Sequence, residues 1–188
     1  MGPARAMPPG GTPTGKRPPR ERVVAGMTAQ TAATRAIAEL GIDHEVTVHG
    51  KVNSLEEAAA ARGVTPDRLL KTLVIRRGDD DFVLVLVPGD RQINWPKLRA
   101  HLGVNRLSLP DKDVAQEATG YERGTITPFG ATPAPTGEPW PVIADALIAE
   151  RGGSVSIGGG AHGVGITLDA ATLVDVVRAD VADVTEPA

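Results

Sequence analysis

Cysteine is absent from the 188-residue chain. That absence excludes disulfide frameworks, thiolate zinc sites, iron–sulfur clusters and a cysteine nucleophile. Aromatic residues are scarce, with two Trp, two Phe and one Tyr. Extended base-stacking platforms are therefore not expected, and the core has to be built from Ala, Val, Leu and Ile. No apolar run approaches the ~20 residues of a membrane-spanning helix. The N-terminal Met-Gly-Pro-Ala-Arg-Ala-Met-Pro-Pro lacks the apolar centre of a secretory signal. An excess of positive charge is missing too: the formal net charge is −3, so any contact with nucleic acid has to be local and end-directed rather than spread over a broad basic face. These absences lead us to expect a cytoplasmic protein, and the length suits a single domain whose core needs no staples.

Residues 1–26 consist largely of Pro, Gly, Thr and Arg. They hold too little apolar surface to offset the entropy of ordering, which predicts a disordered extension ahead of one domain over 27–188. The basic side chains of this extension read as a solvated tail, with nucleic-acid contact as the alternative. Met27 directly precedes the first periodic segment, so translation has two candidate starts, Met1 and Met27.

From Thr28, a plausible N-cap, apolar positions at Ala33, Ile37 and Leu40 predict an amphipathic helix stopped by Gly41. Residues 43–49 alternate polar and apolar and read as a strand. Ser54 and Glu57 form a capping box for a second helix that Gly63 closes, and Thr65-Pro66 starts one further turn. Residues 71–77 and 82–87 are β-rich runs joined by Gly78-Asp79-Asp80-Asp81, a hairpin signal. Asn94 caps a third helix ending at Gly103. A short strand at 106–109 and a fourth helix over 111–118 lead into a Gly- and Pro-rich loop that runs to about residue 139, and loops of that length in compact domains are functional or disordered. Strands at 141–144, 154–157 and 165–168 follow, then a helix over 170–177 and a terminal run over 181–184. Helices and strands interleave without a regular βαβ series. The predicted class is α+β (mixed α/β), with a curved, mixed, largely antiparallel sheet flanked by helices.

Lys71 starts the run Thr72-Leu73-Val74-Ile75. A lysine at the mouth of an apolar sheet can hold a phosphate, or can simply be a solvated strand end. Gly124-Thr125-Ile126-Thr127-Pro128 lies in the long loop. Its glycine permits positive φ and close approach to a ligand, and its proline withholds a donor and stiffens the turn. Neighbouring amides are then free to meet an oxygen-rich group, although an ordinary rigid turn would look the same. Gly158-Gly159-Gly160-Ala161-His162-Gly163 joins two strand candidates. It lacks the spacing and βαβ context of a dinucleotide fingerprint. His162 can donate a hydrogen bond or act as an acid or base near neutral pH, or be a plain exposed loop histidine. His44, His49 and His101 are scattered without ligand spacing, so neither a metal site nor a cofactor is expected. Asp145 reads as a helix N-cap, with a cleft carboxylate as the alternative.

Taken in order, SLEEAAAARGV, LLKTLVI, VLVPGDRQINWPKL, TGYERGTITPFG and SIGGGAHG resemble the YbaK/EbsC family. That family is the free-standing relative of the editing insertion of bacterial prolyl-tRNA synthetases, and the resemblance covers about 28–183. It implies a trans-editing aminoacyl-tRNA deacylase that hydrolyses the ester of mischarged tRNA, typically proline-tRNA carrying cysteine or alanine. By motif matching it implies that Lys71 holds the phosphate or ribose of the tRNA terminus. The loop of Gly124, Thr125, Thr127 and Pro128 would position ribose and ester, and Gly158, Gly159, Gly160 and His162 would wall the aminoacyl pocket. Relatives that edit cysteine carry polar or acidic residues around that last segment, where this chain has Gly158 and Gly165. The implied partners are the 3′ aminoacyl end of mischarged tRNA and prolyl-tRNA synthetase, with no membrane. An activated ester suits an enzyme without triad or metal, because positioning and backbone oxyanion stabilisation carry the reaction. The rivals are a non-catalytic module of the same fold that recognises aminoacyl-tRNA ends or a synthetase, and a hydrolase of another small acyl ester.

Overall fold

The computed structural model describes residues 30–188 and the backbone of Arg20–Arg22. The chain runs β1 (Arg20–Arg22), α1 (Ala32–Leu40), β2 (Glu45–Val48), α2 (Leu55–Ala61), a 3-10 turn (Pro66–Arg68), β3 (Leu70–Gly78), β4 (Asp81–Pro88) and β5 (Arg91–Ile93). It continues through α3 (Trp95–Leu102), α4 (Lys112–Thr119), β6 (Val142–Asp145), α5 (Ala146–Arg151), β7 (Ser154–Gly158), β8 (Val164–Asp169), α6 (Ala170–Val176), β9 (Asp180–Ala182) and β10 (Thr185–Pro187).

The α+β class and mixed pairing agree with the sequence reading, and the strands divide between two four-stranded sheets. One has the order β1-β2-β8-β7, the other β3-β4-β6-β9, and β5 and β10 form a separate pair. A parallel bridge between Leu69 and Ser156 joins the two larger sheets. Strand β4 reads FVLVLV because both its faces are buried, the condition under which strands lose alternation. Phe82, Leu84 and Leu86 enter a core with Ile37, Trp140, Ile157 and Leu173. Val83, Val85 and Val87 enter a second one with Ile75, Ile93 and Leu98.

Several boundaries move. Helix α1 is capped by Thr31, whose hydroxyl accepts from Thr34 N–H at 3.0 Å, and Thr28 lies outside the described residues. Residues 106–109 form no strand; a single antiparallel bridge, Arg76 to Ser108, stands in their place. Within the extension read as disordered, the backbone of Arg20–Arg22 runs parallel to β2, and the remainder of 1–26 lies outside the described residues.

Candidate active site

A cavity of about 540 Å³ opens where the start of β3 meets the loop after α4 and the turn between β7 and β8. Lys71 is the second residue of β3, and its Nζ donates to the Arg91 carbonyl oxygen at 2.6 Å. The ammonium is thereby held at a fixed point with two further donor hydrogens. Burial pushes its pKa down, and the nearby Asp90 carboxylate partly offsets this. Asp90 is itself held below the usual carboxylate range, chiefly by the Arg151 guanidinium bonded to it at 2.7 Å.

Gly124 has φ +90°, and a Cβ there would lie 3.9 Å from His162 Cε1. The two residues therefore adjoin at the cavity. His162 is exposed, with Nε2 3.2 Å from Glu122 Oε2. Thr125 and Thr127 are buried behind the wall. The Thr125 hydroxyl donates to the Glu122 carbonyl at 2.8 Å and Thr127 accepts from Phe129 N–H at 3.5 Å, so both shape the loop from within. Gly158 lines the cavity and is pressed against that loop, where an added Cβ would stand 3.0 Å from the Ile126 carbonyl oxygen. Gly159 donates to the Val164 carbonyl at 2.9 Å and accepts from the Thr31 hydroxyl at 2.6 Å. The Tyr121 ring fills the space that a Gly160 side chain would need, with Cε1 at 2.8 Å. Pro128 belongs to the wall of a different cavity, beside Phe129 and Trp140. The structure thus brings Lys71, Gly124, Gly158 and His162 together. It gives Thr125, Thr127, Gly159 and Gly160 packing and loop-shaping contacts. Asp145 is an N-cap: it accepts from Leu147 N–H at 3.1 Å and, with its other oxygen, from Val184 N–H at 3.1 Å.

Four further residues of the lining were not singled out from sequence: His49, Arg62, Thr72 and Arg123. Buried His49 donates from Nδ1 to the Gly50 carbonyl at 2.8 Å. Its Nε2 therefore carries the lone pair that accepts from Arg62 Nε at 3.4 Å. Arg62 also reaches the Ile157 carbonyl at 3.4 Å, and desolvation lowers its pKa. Glycine at 165 makes this placement possible, because a Cβ there would fall 2.6 Å from both Cδ and Nε of Arg62. A signal for Arg62 does exist in the sequence, since it follows Leu55 and Ala59 at helical spacing on the buried stripe of α2. The Thr72 hydroxyl is buried without a hydrogen-bond partner. The lining holds three cationic side chains and two histidines but no carboxylate. Among the described residues there is no cluster of His, Asp and Glu able to hold a metal ion, and no helix is long and apolar enough to cross a membrane.

The chain is 38% identical over 80 residues to a proline–tRNA ligase of Thermosipho africanus, and 40% identical over 86 residues to one of Moorella thermoacetica. These matches span 43% and 46% of this chain but only 14% and 15% of the ligases. The fold superposes on hypothetical protein APE2540 with a TM-score of 0.73 at 25% identity, covering 83% of this chain and all of the other. It also superposes on a protein described as a candidate trans-editing enzyme for prolyl tRNA synthetase, with a TM-score of 0.71 at 24% identity over 84% and 98% of the two chains. A family model for the aminoacyl-tRNA editing domain matches residues 49–176, which include the cavity walls from His49 to Gly163. This chain therefore belongs to the aminoacyl-tRNA editing domain family.

Proposed function

We propose that the chain is a trans-editing deacylase that hydrolyses the ester between a small wrong amino acid and the 3′ end of a tRNA, proline-tRNA carrying cysteine or alanine being the first substrates to test. The observation that carries this reading is the wall formed by the 124–126 segment. Gly124 and Ile126 line the cavity, and among the described residues no acceptor takes the N–H of either. Such amides are available to the oxygen that gains negative charge as water adds to the ester carbonyl, which is where preorganised donors lower the barrier most. Lys71, anchored through Arg91, supplies a fixed cation for a phosphate or ribose oxygen of the terminal nucleotide. Water adds to the ester carbonyl, the tetrahedral intermediate collapses, and the ribose hydroxyl leaves. A tight wall at Gly158 limits the amino acid by size, the property on which editing sites rely when a methylene is worth only ~1–3 kcal/mol.

Single-turnover hydrolysis of a panel of mischarged tRNAs, with correctly charged proline-tRNA as control, tests the assignment. We expect cleavage of the small mischarged substrates. Lys71→Ala should slow it by about 10²–10³, the usual cost of one preorganised electrostatic contact, with circular dichroism unchanged. Wild-type rates in a folded Lys71→Ala protein would remove Lys71 from the site. Binding without cleavage of any member of the panel would make the chain a recognition module.

A further inference from the structure

A second depression adjoins the cavity. It is lined by Arg76, Arg77, Arg99 and Arg106 together with Asp79, Asn105 and Ser108. Four arginines and one aspartate thus line a depression in a chain whose net charge is −3. Arg76 pairs with Asp79 at 2.7 Å, and Arg77 with Asp81 at 2.7 Å. Among the described residues no hydrogen bond or ion pair engages the guanidinium of Arg99 or Arg106.

The two depressions share a boundary on each of two paired segments. On β3, Val74 lines the cavity and Arg76 lines the basic groove, two residues or ~7 Å further along the strand. On the neighbouring segment, Leu109 and Pro110 line the cavity and Ser108 lines the groove. Backbone bonds clamp the two segments together, from Arg76 N–H to the Ser108 carbonyl at 2.8 Å and from Ser108 N–H to the Arg76 carbonyl at 3.2 Å. Arg123, whose guanidinium reaches the Pro110 carbonyl at 3.5 Å, stands in the cavity wall beside this boundary. Cationic groups therefore run from Lys71 and Arg62 in the cavity, past Arg123, to the four arginines of the groove. At the hairpin Asp79-Asp80-Asp81 the sign reverses and the path ends.

We propose that this groove is a phosphate track for the single-stranded RNA that leads into the cavity, with Arg99 and Arg106 as its principal contacts. The inference rests on reading the cavity as the seat of a tRNA 3′ end, with the strand that leads to its last nucleotide laid across the shared boundary. Guanidinium groups free of carboxylate partners are suited to phosphodiester oxygens by geometry and weak hydration. The contacts are sequence-independent, so the track supplies affinity and register while the cavity supplies selection.

The test is Arg99→Glu with Arg106→Glu, read in two ways. In deacylation of mischarged tRNA we expect KM to rise with kcat unchanged, the mark of lost uniform binding, while cleavage of a minimal aminoacyl-adenosine stays at the wild-type rate. In direct binding of uncharged tRNA against salt concentration, the slope of log K should fall by about 1.4, from ~0.7 for each single-strand phosphate contact. Arg99→Lys with Arg106→Lys should keep most of that slope. An unchanged tRNA affinity and salt slope in the Glu variant would overturn the track, even if deacylation proceeds. Because the binding measurement needs no catalysis, it decides this question even if the panel above shows no hydrolysis. Normal tRNA binding with loss of binding to an acidic polypeptide such as a synthetase would reassign the groove and overturn the proposal as well.

Discussion

Arg62 and Gly165 act as one unit. The guanidinium lies across the strand pair β7/β8 because position 165 has no side chain, and its two protein acceptors stand at a long 3.4 Å. Gly165→Ala should displace Arg62 at a cost of ~1 kcal/mol, the low end for overpacking, because a long flexible side chain can swing aside. Gly159→Ala meets the Val164 carbonyl oxygen at 2.9 Å and its Cγ1 at 2.5 Å. Backbone cannot swing aside, so ~3 kcal/mol is expected there. Equilibrium urea unfolding of both variants compares them, and equal losses would mean that Arg62 is rigidly held. Part of the candidate site could be read from residues alone. Lys71, Gly124, Gly158 and His162 announced themselves by an unusual residue in an apolar or glycine-rich context. Arg62 and His49 meet only through the fold, 13 positions apart, and Arg123 had no local pattern to mark it. Pro128 and Gly160 had such a pattern, yet the tight packing around Tyr121, Phe129 and Trp140 accounts for it.

At the scale of elements, caps proved the most legible feature. Asn94 accepts from Lys97 N–H at 3.0 Å, and Gly103 closes α3 at φ +66°. Ser54 accepts from Glu57 N–H at 3.1 Å, while the Glu57 carboxylate turns back to Asn53 N–H at 2.8 Å. That is a capping box displaced by one residue. Strands β5 and β10, three residues each, carry too short a pattern to be seen and exist because they pair with one another. Helix α5 spans six residues and shows in the sequence only through its cap. That cap, Asp145, is fully buried and joins α5 to the Val184 backbone between β9 and β10. Asp145→Asn keeps the size but turns an amide donor toward one of two N–H groups. A loss of about 2 kcal/mol is expected from the unsatisfied buried donors, measured as a shift in denaturation midpoint with unchanged slope. A neutral substitution would show that water substitutes freely at this junction.

The whole molecule carries its own reporter of stability, since Tyr121 is the single tyrosine. Its hydroxyl donates to the Phe129 carbonyl at 2.6 Å. Burial raises its pKa from 10.0 to about 12, with Arg35 opposing the shift. The folded pKa lies above the unfolded one, so the neutral phenol is favoured by folding. The stability it confers is complete below pH 10 and is lost as pH rises from 10 to about 12. Absorbance at the phenolate band should stay low through pH 11 in the folded protein and rise at once on adding denaturant. A phenolate signal with a midpoint near 10 in the folded state would show that the ring is wet.

Lys71 and Gly158 stand on different sheets, each two residues from the Leu69–Ser156 bridge that joins them. Arg68 fastens the same joint by donating to the Gly152 and Arg151 carbonyls, and Arg151 reaches across it to Asp67 and Asp90. The two sheets meet along this joint, and residues of both line the cavity. The width of the cavity then depends on how the two sheets are joined as well as on the residues that line it. A substitution that slackens this joint at Arg68 or Arg151 would change the width of the cavity without altering a single group that lines it.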